Sequence, residues 1–168
     1  ARYSVTTKHP IIELQYAAGL KGVLGGDYNY HRLSLSYRHY LNINPIGWLS
    51  YRFEAGKVFG TVPFLLMEVH PGNEGFFMAR GIFNLMNRYE FASDTYAQLI
   101  LEHHFDGFFL NKVPLFRKLN LREVASFKAV MGSISEENRQ ANLPNLFNPN
   151  ELDNYNGFRA PSSQPYME

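Results

Sequence analysis

Three consecutive stretches of this chain alternate between apolar and polar residues, and that period of two constrains the fold more than any other feature. Over residues 10–20 the even positions hold Ile12, Leu14, Tyr16, Ala18 and Leu20, against Glu13, Gln15, Ala17 and Gly19 at the odd ones. Over 28–41, Leu33, Leu35, Tyr37 and Leu41 oppose Arg32, Ser34, Ser36 and Arg38. Over 48–59, Leu49, Tyr51, Phe53, Ala55 and Phe59 oppose Ser50, Arg52, Glu54 and Gly56. Successive side chains of a strand point to opposite faces, so each stretch reads as a strand with one apolar and one polar face. Two further stretches are less regular. Residues 89–105 set Tyr89, Phe91, Ala97, Leu99, Leu101 and Phe105 against Glu90, Asp94, Gln98, Glu102 and His104. Residues 119–131 set Leu119, Leu121, Ala125, Phe127, Ala129 and Met131 against Asn120, Arg122, Ser126 and Lys128, with Glu123 interrupting the apolar side. Residues 165–168 read as the opening of a sixth strand. The expected fold class is all-β and antiparallel.

The connections add a second pattern. Residues 22–27 and 42–47 are short turns rich in glycine, asparagine and proline. Residues 60–88 and 133–164 are long, and 107–118 is of middle length. If consecutive strands run antiparallel, both long connections fall at one end. The stretch 133–164 is polar and asparagine-rich, and it is expected to be a loop without regular structure. The whole chain, 1–168, reads as a single domain.

Composition removes several functions. Sixteen basic against fifteen acidic residues leave a net charge of +1, which is no footprint for nucleic acid. There is no cysteine, hence no disulfide scaffold, thiolate metal site or thiol nucleophile. The longest near-apolar run, residues 62–67, is far short of the about 18 residues a membrane helix needs. A membrane β-barrel is untouched by that argument, because its signal is alternation. The period alone therefore leaves two architectures open. In a soluble β-sandwich the apolar faces meet each other; in a membrane barrel they meet lipid.

A resemblance bears on that choice. The run Glu54-Ala55-Gly56-Lys57-Val58-Phe59-Gly60-Thr61-Val62-Pro63, followed by Glu68-Val69-His70-Pro71-Gly72-Asn73-Glu74, resembles a stretch in a Bacteroidota family of uncharacterised outer-membrane proteins. Phe83-Asn84-Leu85-Met86-Asn87, Glu90-Phe91-Ala92-Ser93-Asp94-Thr95-Tyr96, His103-His104-Phe105-Asp106-Gly107 and Asn111-Lys112-Val113-Pro114-Leu115 are similar to the same family. Its members join a carboxypeptidase-regulatory-like N-terminal domain to a C-terminal barrel, and that barrel is similar to the BamA-like surface-antigen type. The resemblance implies a bacterial outer-membrane location and a lipid environment. It also implies other outer-membrane or periplasmic proteins as partners, and a part in outer-membrane protein assembly or translocation. Five strands and an opening fall short of the eight of the smallest single-chain barrels, so the chain is expected to supply the C-terminal portion of a barrel. A passive pore or surface-ligand barrel, and a soluble β-sheet interaction module, are the competing readings.

The residues that carry chemistry are correspondingly few. No HExxH, CxxC, P-loop or GxSxG pattern occurs, and neither an enzyme activity nor a cofactor is expected. His103 and His104 are adjacent on a strand and therefore face opposite sides, which argues against a shared metal ion. The candidate lumen-facing polar residues are Glu13, Arg32, Arg38, Arg52, Glu54, Glu102 and Arg122, whose mixed charges can pair across strands. The loop 60–88 contains Val62, Phe64, Leu65, Leu66, Met67, Val69, Phe76, Phe77, Ile82, Phe83, Leu85 and Met86, too much apolar surface for a solvated excursion. It is expected to pack in or over the barrel. Within it Arg80-Gly81 resembles the Arg-Gly pair that BamA-like proteins tuck into the lumen, which makes these two residues the gate candidates, with Glu54 the expected partner of Arg80.

Overall fold

The computed structural model describes residues 9–23, 25–146 and 165–168. Five long or medium strands and one short one form a single antiparallel sheet: β1 (Ile11–Gly19), β2 (Tyr30–Asn42), β3 (Trp48–Phe59), β6 (Thr95–His104), β7 (Val124–Ser133) and β8 (Tyr166–Met167), hydrogen-bonded in that order. Between β3 and β6, β4 (Glu68–Val69) and β5 (Ala92–Ser93) pair as a separate two-stranded sheet. A short helix α1 (Pro114–Arg117) interrupts the β6–β7 connection, and α2 (Glu136–Leu146) follows β7. Among the described residues the large sheet is open, with β1 and β8 at its edges.

The alternation becomes two faces because the register keeps parity across every ladder. Ile12, Tyr37, Phe53, Leu99, Ala129 and Met167 form one cross-strand row. The next row, on the opposite face, is Glu13, Ser36, Glu54, Gln98, Val130 and Tyr166. Their burial is the reverse of a water-soluble sheet. On the apolar face Leu14 is 68% exposed and Phe53 40%, while on the polar face Gln98 is 8% exposed and Lys128 4%.

What covers the polar face is the excursion between β3 and β6. Val62 and Met67 pack on Val58 of β3, with Tyr30, Phe64, Leu66 and Ile134 around them. Phe83 and Met86 pack on Val130 of β7, with Phe91 and Tyr166. The apolar content of this segment thus divides. Its two ends are buried on the sheet, whereas Phe76 is 95% exposed, and Phe77 and Leu85 are also exposed. Tyr96 shows how closely the polar face is filled: its ring lies so near Gly56, directly opposite in the ladder, that a Cβ there would come within 2.7 Å of it.

Three expectations change. The strand expected over 89–105 begins only at Thr95, because Tyr89 takes a left-handed φ of 61° and Ala92–Ser93 pairs with Glu68–Val69 instead. The strand expected over 119–131 begins at Val124. Asn120 is left-handed at φ 50°, and the Glu123 carboxylate is held in the preceding turn by the N–H groups of Phe109 and Leu110. The stretch 133–164, expected to lack regular structure, contains α2; residues 147–164, which follow it, lie outside the described ones. In α2, Asn138 and Asn142 are buried because their amides complete the backbone of the covering segment. Asn138 Oδ1 accepts from Val62 N–H at 2.9 Å, while Asn142 donates to Val62 O and accepts from Phe64 N–H, each at 2.9 Å.

Candidate functional site

Six of the seven candidate polar residues share one face. Glu13, Arg32, Arg38, Arg52, Glu54 and Glu102 fall on the covered side of β1, β2, β3 and β6. Arg122 does not. It precedes β7, stands exposed, and donates to the Asp106 carbonyl at 2.6 Å. The alternation gives Arg122 no face, because it lies in the turn before Val124, where β7 begins.

Two ion pairs join the covering segment to the sheet. Arg32 of β2 bonds Glu68 of β4. Glu68 is pushed above its ordinary pKa by burial, with the Arg32 guanidinium opposing that shift. Arg80 Nε lies 3.6 Å from Glu102, whose carboxylate also meets His104 Nε2 at 2.5 Å. Arg80 therefore engages Glu102 on β6 rather than Glu54. Glu54 instead accepts bonds from Tyr96 Oη at 3.3 Å and Gln98 Nε2 at 2.8 Å. His104 in turn stacks on Trp48, with centroids 3.8 Å apart and planes 8° from parallel, so Trp48 belongs to the polar face. His103 faces the other way and its Nε2 meets the Ile46 carbonyl at 3.1 Å.

The segment itself carries a third anchor. His70 is fully buried: its backbone N–H donates to Phe91 O, its Nε2 meets Ser93 Oγ at 3.1 Å, and its ring sits edge-on to Tyr96. Its Nδ1 finds no partner among the described residues. Burial pushes its pKa down to about 4, so the ring is neutral at physiological pH. Beside β6, Asp94 is penalised by burial. The Ser135 N–H at 2.6 Å and the Asn138 amide at 3.0 Å outweigh that and hold its carboxyl below the usual range.

An open cavity of about 190 Å³ occupies the β1–β3 part of the polar face. Glu13, Gln15, Ser34, Ser36, Arg38, Arg52 and Glu54 line it, all from the three strands. Glu13 and Arg38 pair within it at 3.2 Å. Sequence parity marks all of these as sharing a face. The residues that fasten the cover, His70, Asp94, Lys128 and Glu168, carry no local signal beyond their place on a strand or beside one. Among the described residues no cluster of three or more histidines and carboxylates is placed to hold a metal ion. Among them, too, no helix is long and apolar enough to cross a membrane, which says nothing of a β-barrel.

No curated protein and no solved structure matches this chain. Residues 1–137 match the C-terminal domain of a family of unknown function, DUF5686, and the chain belongs to that family.

Proposed function

We propose that this chain forms part of an outer-membrane β-barrel. Its apolar sheet face meets lipid, its polar face turns to the lumen, and the segment between β3 and β6 lies inside as a plug. The reading rests on one observation above all: the face carrying Leu14, Leu35, Phe53 and Met131 is the one left uncovered, while the charged face is covered except at the open β1–β3 cavity. A water-soluble sheet buries the opposite face, because apolar area removed from water stabilises by about 25 cal/mol per Å². The strand lengths fit as well. β2, β3, β6 and β7 have 13, 12, 10 and 10 residues, and a tilted strand needs about 9–11 to cross a bilayer.

Within that location the role we favour is non-enzymatic, in the assembly or translocation of outer-membrane proteins, with lipid and outer-membrane or periplasmic proteins as partners. That part draws on the resemblance to BamA-like barrels. A passive pore is the second reading, favoured by the open polar cavity on β1–β3. Two experiments divide these. In vesicles of midplane-brominated lipid, a tryptophan introduced as Leu35→Trp should be quenched strongly and Trp48 weakly; equal quenching, or a protein that folds as a monomer without detergent, overturns the membrane reading. In liposome swelling, deletion of 64–86 should raise solute entry if the segment is a plug. Free entry before deletion favours the pore.

A further inference from the structure

The β1–β3 cavity has an excess of unused hydrogen-bond donors. Each oxygen of its two carboxylates already accepts one bond from the protein. Glu13 accepts from Gln15 Nε2 at 2.7 Å through one oxygen and from Arg38 at 3.2 Å through the other. Glu54 accepts from Tyr96 through one oxygen and from Gln98 through the other. The donors are not matched in the same way. The Arg52 guanidinium and the Ser34 and Ser36 hydroxyls take part in no hydrogen bond or ion pair among the described residues, although all three line the cavity. Arg38 and Arg52 are also direct cross-strand partners. Like charges so placed repel; Glu13 pairs with Arg38, while Glu54, the second carboxylate of the cavity, forms no ion pair with Arg52 among the described residues. Gly81 brings the Arg80–Gly81 turn to the same spot, its Cβ position 3.6 Å from Arg52 Nη1.

We propose that this cavity binds a small oxyanion, a carboxylate or phosphate group, seated on Arg52 with the Ser34 and Ser36 hydroxyls and the Arg38 guanidinium around it. The chemistry follows from the donor count. An oxyanion offers Arg52 and the two serine hydroxyls an acceptor that they do not find among the described residues, and charge-assisted bonds to a guanidinium are the strong ones. A volume of about 190 Å³ accommodates such a group with some water. A soluble anion and a lipid phosphate share this chemistry, but Arg52 lies on the opposite face from Phe53 and Leu35, which favours the soluble source.

The test is a titration of the folded protein, labelled with ¹⁵N-arginine, with inorganic phosphate at constant ionic strength. It is followed by NMR in neutral detergent micelles, or in buffer if the protein proves soluble, so the outcome does not depend on the membrane reading. The expected result is a saturable shift of the Arg52 side-chain signal. Arg52→Gln should abolish phosphate binding. The double variant Ser34→Ala/Ser36→Ala, which keeps every charge, should weaken it by about tenfold. Should Arg52→Gln fail to fold, the serine variant and the wild-type titration carry the test. The proposal is overturned if the Arg52 signal shows no saturable shift, or if the serine variant binds as the wild type does. A shift that appears only when phosphatidylglycerol is added to the micelles overturns it as well.

Discussion

The Glu168 carboxylate lies 2.5 Å from the Lys128 ammonium, and the two are buried together at the β7–β8 pairing. The same carboxylate accepts the backbone N–H groups of Asn84 and Leu85 at 2.8 and 2.7 Å. One ion pair thus ties the C-terminal side of the covering segment to the sheet. Both backbone bonds between Lys128 and Glu168 close around it as well. Breaking a buried pair from one side leaves an uncompensated charge. Lys128→Met should therefore destabilise by about 3–5 kcal/mol, and hydrogen exchange at Asn84 and Leu85 should accelerate. The double variant Lys128→Met/Glu168→Gln should recover part of the loss in denaturant unfolding. A Lys128→Met protein with wild-type exchange at those amides would show that the clamp is not what holds the segment.

Adjacent residues of β2 should respond oppositely to charge. Leu35 is on the uncovered face and Ser34 on the covered one. If the uncovered face meets lipid, Leu35→Arg near the bilayer midplane should cost about 2–4 kcal/mol, measured by folding into liposomes. In detergent-free buffer the same substitution on a solvated face should stay within about 0.5 kcal/mol, so the size of the loss separates the two environments.

His70 predicts an acid-sensitive anchor. Its folded pKa of about 4 lies below the ordinary 6.5 because burial disfavours the charged ring. Between those values the unfolded chain binds a proton that the folded one does not, so this contribution to stability is complete above pH 6.5. It falls as pH drops toward 4 and levels off below, amounting at most to about 3 kcal/mol. Glu68 works in the other direction, since burial raises its pKa and its cost grows as pH rises through the folded value. The comparison is therefore between wild type and His70→Gln. The variant should lose the steepening between pH 6.5 and 4 in denaturant titrations, and parallel pH profiles for the two would rule this role out.

The covering segment should be unequal along its length. Phe83→Ala empties a site with no exposure against Met86 and Val130, and should cost about 3–5 kcal/mol. Phe76→Ala, at a residue almost wholly exposed, should stay within about 0.5 kcal/mol. Equilibrium unfolding of the two variants checks both, and equal losses would mean that the tip is buried in the working protein.

Much of the sheet was legible because side-chain period is local. β1, β2 and β3 fall where the alternation of Ile12 to Leu20, Leu33 to Leu41 and Leu49 to Phe59 places them. The starts of β6 and β7 were not, because what ends the alternation lies elsewhere in the chain. Glu68–Val69 takes the backbone of Ala92–Ser93, and the turn at Phe109 and Leu110 takes the carboxylate of Glu123. α2 was invisible for the same reason. An asparagine-rich helix has no apolar stripe, and Asn142 is buried only because Val62, 80 residues away, needs its amide.

By itself, then, the amino-acid order determined which side chains share a face: parity along a strand is a property of the backbone, and Glu13, Arg38, Arg52 and Glu54 follow from it. Tertiary structure decided which face is covered, by what, and who pairs with whom. Arg80 reaches Glu102 while Glu54 turns to Gln98 and Tyr96. Parity names a surface, but a partner depends on how a separate segment is laid across it. That placement comes from the packing of Val62, Met67, Phe83 and Met86, which no period in the sequence encodes.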